Sequence, residues 1–225
     1  MAVAAGTACL ALELAGPESS VAVRTGAGTV HERVFGGERG RSLLLEIDAL
    51  LTGAGVARED LGAVLCGLGP GSYTGLRIAC AAAEVLAWTG SVPVFGYPSF
   101  EAAALAAPPG EDVHVVLDAY RKEVYHAVYR CGPAGAEAAV RDVEVRVAPR
   151  ILGRDAARGA VPENALRIGD PELLGHATRS VADTLQARAS QLLQLARVRG
   201  MRGGVSPPRP LYLRAAAVRR ARADA

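Results

Sequence analysis

Several features that identify common classes of protein are missing from this 225-residue sequence. No uncharged apolar run reaches the roughly 18 residues that a membrane-spanning helix requires, and no basic stretch precedes the first apolar run as in a secretory signal. The formal net charge is only +2, which argues against a surface that binds nucleic acid or coats a membrane through charge alone. We therefore expect a cytoplasmic protein without membrane contact, whose partners are recognised by local features.

Motifs for disulfides, metals and zinc-dependent catalysis are also missing. The four cysteines form no CxxC pair, and two of them lie in apolar runs typical of strands, so all four are predicted to be buried free thiols in a reducing compartment. None of the four histidines belongs to an HxxxH or HExxH pair, which leaves a zinc hydrolase unsupported. The sequence predicts no metal site and no catalytic residue.

What is present is an alternation of strand-like and helical segments. Three short β-rich runs begin the chain, leucines at helical spacing follow over 43–51, and a continuous apolar run over 61–69 is typical of a strand covered on both faces. After a linker near Pro108, further alternating runs predict a second, smaller sheet, and 181–198 is predicted to be an amphipathic helix. This order of segments predicts an α/β fold.

The same order predicts two lobes and a tail. The N-terminal lobe is expected over 1–108, joined by a helix that returns near 181–200, and the C-terminal lobe over 109–180. The tail, 201–225, is rich in arginine and is expected to be partly mobile. A solvated tail is the simpler interpretation, with contact to nucleic-acid phosphates as the alternative.

A glycine-rich turn, GLGPGSYTG over 67–75, follows a predicted strand and precedes a predicted helix, which is the context where backbone N–H groups favour an anion. It has no lysine after the glycines, its spacing is not GxGxxG, and Pro70 stands where a GxSxG nucleophile elbow needs glycine. Ser72 and Thr74 are therefore interpreted first as helix caps. The alternative, a vestigial phosphate loop, would be formed by Glu13, Gly69, Gly71, Ser72, Thr74 and Gly75. Glu13 itself is interpreted first as an ordinary exposed glutamate at a strand end.

The helix after this turn has almost no polar side chain, since from Leu76 to Trp88 only Arg77, Glu84 and the indole N–H are polar. One interpretation is a central helix buried by its own chain; the other is that this helix and the one from Ser42 each turn one face to a second protein. Small side chains favour close approach of another helix. The predicted interface residues are Leu45, Arg77, Ala79, Cys80, Ala82, Ala83 and Leu86.

Four stretches resemble one known family. GLGPGSYTGLRIACAAAEVLA closely resembles the signature of the TsaB (YeaZ) family, and RSLLLEIDALL, LDAYRKEVYHAVY and PRPLYLR match further family segments in order. The resemblance implies the two-lobed fold of actin, sugar kinases and heat-shock ATPases (the ASKHA fold), with a mixed sheet flanked by helices in each lobe.

The resemblance also implies a function. Proteins of this family act as non-catalytic, pseudo-ATPase subunits in the synthesis of threonylcarbamoyladenosine, a tRNA modification next to the anticodon. The implied partners are the catalytic paralogue TsaD, the small ATPase TsaE and, indirectly, tRNA, with a homodimer when the chain is alone. The resemblance places the TsaD contact on a bundle of the two apolar helices. No cofactor is implied for this chain, and ATP with Mg²⁺ would enter at most through the partner complex.

Two departures from the family pattern bear on nucleotide chemistry. Glu13-Leu14-Ala15 stands where the family has Asp-Thr-Ser/Thr, and Tyr120 stands where Arg is common. Both changes argue against independent nucleotide hydrolysis. An ATP-binding enzyme that uses Glu13, Ser72 and Thr74 in the inter-lobe cleft, or a homodimeric interaction protein, remains the alternative to the scaffold subunit.

Overall fold

The computed structural model of the chain describes residues 6–36, 39–132, 141–185, 187–201 and 204–213. Residues 202, 203 and 214–225 of the predicted arginine-rich tail lie outside the described residues. Within the described ranges, no helix is long and apolar enough to cross a bilayer. All four cysteines are buried free thiols, as the sequence predicts.

The first sheet has five strands in the order β3-β2-β1-β4-β5. β1 pairs antiparallel with β2 and parallel with β4, so the sheet is mixed. The strands are β1 (Ala8–Glu13), β2 (Ser19–Arg24), β3 (Val30–Phe35), β4 (Leu61–Gly67) and β5 (Val94–Tyr97).

Both faces of the first sheet are covered, which explains why its central strands are continuous apolar runs. Leu10 and Leu12 of β1 pack into the same core as α1 (Arg39–Ala54) and α2 (Tyr73–Gly90). Because successive side chains of a strand point to opposite faces, Cys9 and Ala11 lie on the other face. There they share a core with the helices α3 (Ser99–Ala104) and α5 (Ala189–Val198).

The second sheet also has five strands, in the order β10-β9-β6-β7-β8. The core between the sheets continues onto it, since Val115 and Ala127 belong to the cluster that contains α3 and α5. The short helix α4 (Arg154–Ala160) covers its outer face. The strands are β6 (Asp112–Asp118), β7 (Glu123–Cys131), β8 (Val143–Gly153), β9 (Leu166–Gly169) and β10 (Arg179–Ala182).

The two mixed sheets with flanking helices confirm the predicted α/β class. The chain passes from the first sheet to the second between β5 and β6, and α5 packs against β1 and β2 of the first sheet. The predicted helix over 181–198 is wrong in its first half. Val181 lies in β10, which pairs with β9, and the helix begins only at Ala189. The short helix α4 was not predicted.

Candidate functional site: the inter-lobe cleft and the outer face of α1 and α2

The glycine-rich turn brings the start of α2 against the turn between β1 and β2. A Cβ atom on Gly75 would lie 2.1 Å from the carbonyl oxygen of Leu14, and one on Gly71 would lie 2.4 Å from that of Ala15. Real Cβ atoms do not approach backbone oxygen so closely, so only glycine fits at these two positions. The glycines let the two backbone segments pack directly on each other.

The hydrogen bonds at the start of α2 are made by the chain itself. Ser72 is the N-cap residue, and its Oγ accepts a hydrogen bond from the Gly75 N–H at 3.2 Å, which confirms the predicted cap. The Ser72 N–H donates to the carbonyl oxygen of Ala15 at 2.9 Å. Thr74 lies exposed in the first turn. Two backbone donors of the predicted phosphate loop, at Ser72 and Gly75, are thus already used by oxygen atoms of the protein.

Glu13 is completely buried, so the interpretation of an ordinary exposed glutamate is wrong. Its Oε1 accepts a hydrogen bond from the Ala15 N–H at 2.7 Å, and its Oε2 has no hydrogen-bond partner in the described part of the chain. Burial raises the pKa of this carboxyl from its ordinary value near 4.5 to about 7. Glu13 lies behind the β1–β2 turn and holds that turn; it does not line the cleft.

The cleft between the lobes has a volume of about 600 Å³. The described residues that line it include the carboxylates of Asp118, Asp170 and Asp183 but no lysine or arginine. A nucleotide triphosphate carries several negative charges, and the described lining supplies no cationic side chain to neutralise them. Among the residues that the structure describes, no three His, Cys, Asp or Glu side chains form a group that could hold a metal ion. The described lining of the cleft therefore offers Mg-ATP neither a cationic phosphate partner nor a group of three metal ligands.

The buried face of α2 faces its own lobe. Ala79 and Ala83 are 0% exposed and Cys80 is 6% exposed, all within the core under α1 and α2. The prediction that these three residues lie in an interface is therefore wrong, because the protein's own sheet already covers them. The helical pattern did not reveal this, since small apolar side chains occur on both faces of the helix.

The opposite face of α2 is open to solvent. Trp88 is 82% exposed and Val85 is 59% exposed, both unusual for large apolar side chains. Of the predicted interface residues on α2, Arg77 is exposed, and Ala82 and Leu86 are half-buried. Sequence reasoning missed Val85 and Trp88, although their spacing from Arg77 (i+8 and i+11) contains the signal.

α1 continues this open face, since it packs beside α2. Leu43, Ile47, Leu50 and Leu51 are buried, as the helical spacing over 43–51 predicts, whereas Leu44 is 61% exposed. Leu45, one of the predicted interface residues, is 73% exposed. We call the exposed surface of the two helices the α1–α2 face. Its residues are Leu44, Leu45, Tyr73, Arg77, Ala81, Glu84, Val85 and Trp88.

The segment after α5 completes one end of this face. The Leu211 N–H donates to the carbonyl oxygen of Leu68 at 2.8 Å. The ring of Tyr212 lies 5.2 Å from that of Tyr73, and the Arg77 guanidinium lies 5.4 Å from the Tyr73 ring centre. The first turn of α2 is thereby flanked by an aromatic cluster.

A histidine pair that sequence spacing did not reveal lies in the second sheet, outside the cleft. Nδ1 of His114 in β6 is 3.1 Å from Nε2 of His126 in β7, and the rings stack. Burial lowers both pKa values, and that of His126 falls to about 4, with His114 and Arg150 adding to the effect. Twelve residues separate the two histidines, and only strand pairing brings them together.

The two lobes, the covered mixed sheets and the helix that starts at the cleft define a protein of the actin-like ATPase fold. A family model described as TsaD, tRNA N6-adenosine threonylcarbamoyltransferase, matches residues 38–197. The solved structure of YeaZ from Pseudomonas aeruginosa superposes with a TM-score of 0.77 at 28% identity, covering 92% of this chain and 100% of that one. The chain belongs to the TsaB/YeaZ family.

Two relatives show how far sequence similarity extends. An uncharacterized protein of Mycobacterium tuberculosis is 35% identical over 168 residues, which are 68% of this chain and 76% of that protein. The tRNA threonylcarbamoyladenosine biosynthesis protein TsaB of Bacillus subtilis is 32% identical over 103 residues, 45% of each chain.

Proposed function

We propose that this chain is a non-catalytic subunit in the synthesis of threonylcarbamoyladenosine in tRNA. The proposal rests on the family, whose relatives TsaB in Bacillus subtilis and Escherichia coli are named for this pathway. In this proposal the chain binds the catalytic paralogue TsaD through the α1–α2 face and holds it in its active shape. The observation that carries it is the exposed apolar α1–α2 face, beside a cleft whose described lining has no cationic side chain.

The composition of the α1–α2 face supports a protein partner. Four large apolar side chains, those of Leu44, Leu45, Val85 and Trp88, are between 59% and 82% exposed on two adjacent helices. Apolar side chains grouped in this way mark interaction sites, and tryptophan and arginine are enriched at the centres of interfaces. Helices from two proteins that pack side by side would bury this surface as a helical bundle.

The start of α2 supports an accessory role over an independent enzyme. The Ala15 carbonyl and the Ser72 hydroxyl accept hydrogen bonds from the N–H groups of Ser72 and Gly75, which a phosphate would otherwise need. Glu13 is buried away from the cleft. In this proposal the chemistry belongs to the paralogue, and ATP, Mg²⁺, the ATPase TsaE and the tRNA meet this chain only in the assembled complex.

The proposal is tested with Val85→Arg and a matched control, Val145→Arg, which changes an exposed valine of β8 in the other lobe. A guanidinium at residue 85 would have to be desolvated in the bundle, so Val85→Arg should lose co-elution with TsaD of the same organism on size exclusion and lose tRNA modification. Val145→Arg should behave like the wild type. Equal modification of tRNA by TsaD in the absence of this chain would contradict the proposal, as would unchanged binding of Val85→Arg.

A further inference from the structure

A recess lies where the turn between β2 and β3 meets α5, and its lining is separate from that of the cleft and from the α1–α2 face. It consists of two adjoining cavities of about 570 and 290 Å³, and Arg24, Gly28 and Arg197 line both of them. We call this pair of cavities the hairpin recess. Arg24 is the last residue of β2, and Arg197 lies in the last turn of α5. Two different elements therefore each bring a positive charge to the same recess.

The other polar groups of the hairpin recess are hydrogen-bond donors. Its described lining includes the exposed hydroxyl of Thr29 but no aspartate or glutamate. The amide oxygen of Gln191 already accepts the Arg188 N–H at 2.8 Å, so its amide N–H₂ group is the end left for other contacts. Glu32 of β3 is used by the chain itself, since both of its carboxylate oxygens accept hydrogen bonds from Ser190 at 2.9 Å. A lining of donors and positive charge suits an anion.

Arg24 has no carboxylate partner among the residues that the structure describes. Its Nη2 donates to Sγ of Cys9 at 3.3 Å, and a thiol is only a weak acceptor. A guanidinium has five N–H donors, so most of the donors of this half-buried group are left for a ligand. Because a charge taken out of water is unfavourable unless it is paired, an anion in the hairpin recess would supply what the chain does not.

We infer that the hairpin recess binds a phosphate group, held between Arg24 and Arg197. The planar guanidinium matches the geometry of phosphate oxygens and can donate two parallel hydrogen bonds to them. Two positive charges beside one recess also repel each other, and a bound dianion converts this repulsion into attraction. The described lining contains no aromatic ring on which a nucleobase could stack. The group that is recognised is therefore the phosphate itself, as a free ion or as part of a polynucleotide backbone.

The end of α5 is capped by the backbone, independently of the Arg197 side chain. The Arg199 N–H donates to the Leu195 carbonyl oxygen at 3.0 Å, and the Met201 N–H donates to that of Ala196 at 2.9 Å. The Arg197 side chain is exposed where it lines the hairpin recess, so a ligand can reach it from solvent. The inference does not depend on the proposed function, and all tests below use the full chain alone.

The site is tested by isothermal titration calorimetry with inorganic phosphate at constant ionic strength, with chloride as the balancing anion. Arg24→Gln and Arg197→Gln each remove one of the two guanidinium groups, so each should weaken phosphate binding at least about tenfold. The control is Arg121→Gln, which removes an exposed positive charge from the second lobe and should bind phosphate like the wild type. The control distinguishes a specific site from an effect of net charge.

The two variants differ in their expected effect on folding. Arg24 contacts the buried thiol of Cys9, so Arg24→Gln is expected to lower the thermal unfolding temperature. Arg197 is exposed, so Arg197→Gln should unfold at close to the temperature of the wild type. Arg197→Gln therefore tests the inference even where Arg24→Gln folds poorly. Unchanged phosphate binding by Arg197→Gln would overturn the inference.

The source of the phosphate is distinguished by fluorescence anisotropy with a labelled single-stranded oligouridylate. If the hairpin recess takes a backbone phosphate, the wild type binds this probe, inorganic phosphate competes with it, and Arg24→Gln and Arg197→Gln both bind it more weakly. If the recess takes the free ion, phosphate binds in the calorimeter and the oligouridylate does not. The inference is overturned if the wild type binds neither probe, including the case in which only a hexaglutamate peptide binds.

Discussion

The buried carboxyl of Glu13 gives a prediction about stability and pH. Its pKa is near 4.5 when exposed and about 7 in the folded protein, because burial disfavours the charged form. The folded state is therefore favoured by the protonated carboxyl below pH 4.5, and this contribution is lost as the pH rises through about 7. A difference of about two and a half pKa units corresponds to about 3 kcal/mol of unfolding free energy.

Glu13→Gln keeps the shape of the side chain and removes its titration. We expect the unfolding free energy of the wild type to fall by about 2–3 kcal/mol more than that of the variant between pH 5 and pH 8. Urea unfolding followed by far-ultraviolet circular dichroism measures both proteins at both pH values. The histidine pair titrates in both, so its contribution cancels in the comparison. Parallel pH profiles for wild type and variant would refute the burial argument, and the exposed Glu163→Gln should match the wild type.

Two further predictions concern packing and acid sensitivity. Gly75→Ala should lower the unfolding free energy by about 1–3 kcal/mol, because the new Cβ would collide with the Leu14 carbonyl. The control is Gly53→Ala on α1, where a Cβ would meet nothing within 4 Å. It should raise the unfolding free energy by up to about 1 kcal/mol, because alanine favours the helix more than glycine does. Thermal unfolding compares the two, and shifts of the same sign would contradict the argument. The pKa of His126 is about 4 in the fold, against 6.5 for an exposed histidine. Because the folded state favours the neutral ring, the unfolding free energy decreases as the pH falls from 6.5 to 4. The decrease is about 2 kcal/mol after allowing for solvent screening. This prediction is tested in a Glu13→Gln background, because the carboxyl of Glu13 titrates in the opposite direction. There, His126→Gln should remove most of the acid-induced decrease in the urea midpoint. An unchanged dependence of the midpoint on acid pH would contradict the prediction.

The architecture was largely accessible from the sequence, because its signals are local. The double coverage of β4 is visible in the unbroken apolar run over 61–69, and the core face of α1 in the spacing of its leucines. The start of α5 at Ala189 could not be predicted from the sequence. Helical spacing alone could not show that Val181 belongs to β10, since that depends on pairing with a strand more than ten residues away.

The functional face was harder to predict, because burial depends on the direction of a helix relative to its sheet. α2 is apolar on nearly every side, so periodicity could not distinguish Ala79 and Ala83, which face the sheet, from Ala81, which faces solvent. Glu13 posed the same difficulty. A glutamate at a strand end is usually exposed, but here the missing side chain of Gly67 in β4 leaves room for the carboxylate inside the fold.

The glycine-rich turn shows how a sequence can keep the appearance of a phosphate loop for another reason. Phosphate loops need glycine so that the backbone can approach an anion. Here Gly71 and Gly75 let the backbone at the start of α2 pack directly on the backbone of the β1–β2 turn. A side chain at either position would collide with a carbonyl oxygen of that turn. The Ala15 carbonyl accepts a hydrogen bond from the Ser72 N–H, and the turn fixed in this way places α2 with the α1–α2 face outward. The glycines thus position the face that we propose binds a partner, and a phosphate at this turn would have to displace the chain's own oxygen atoms.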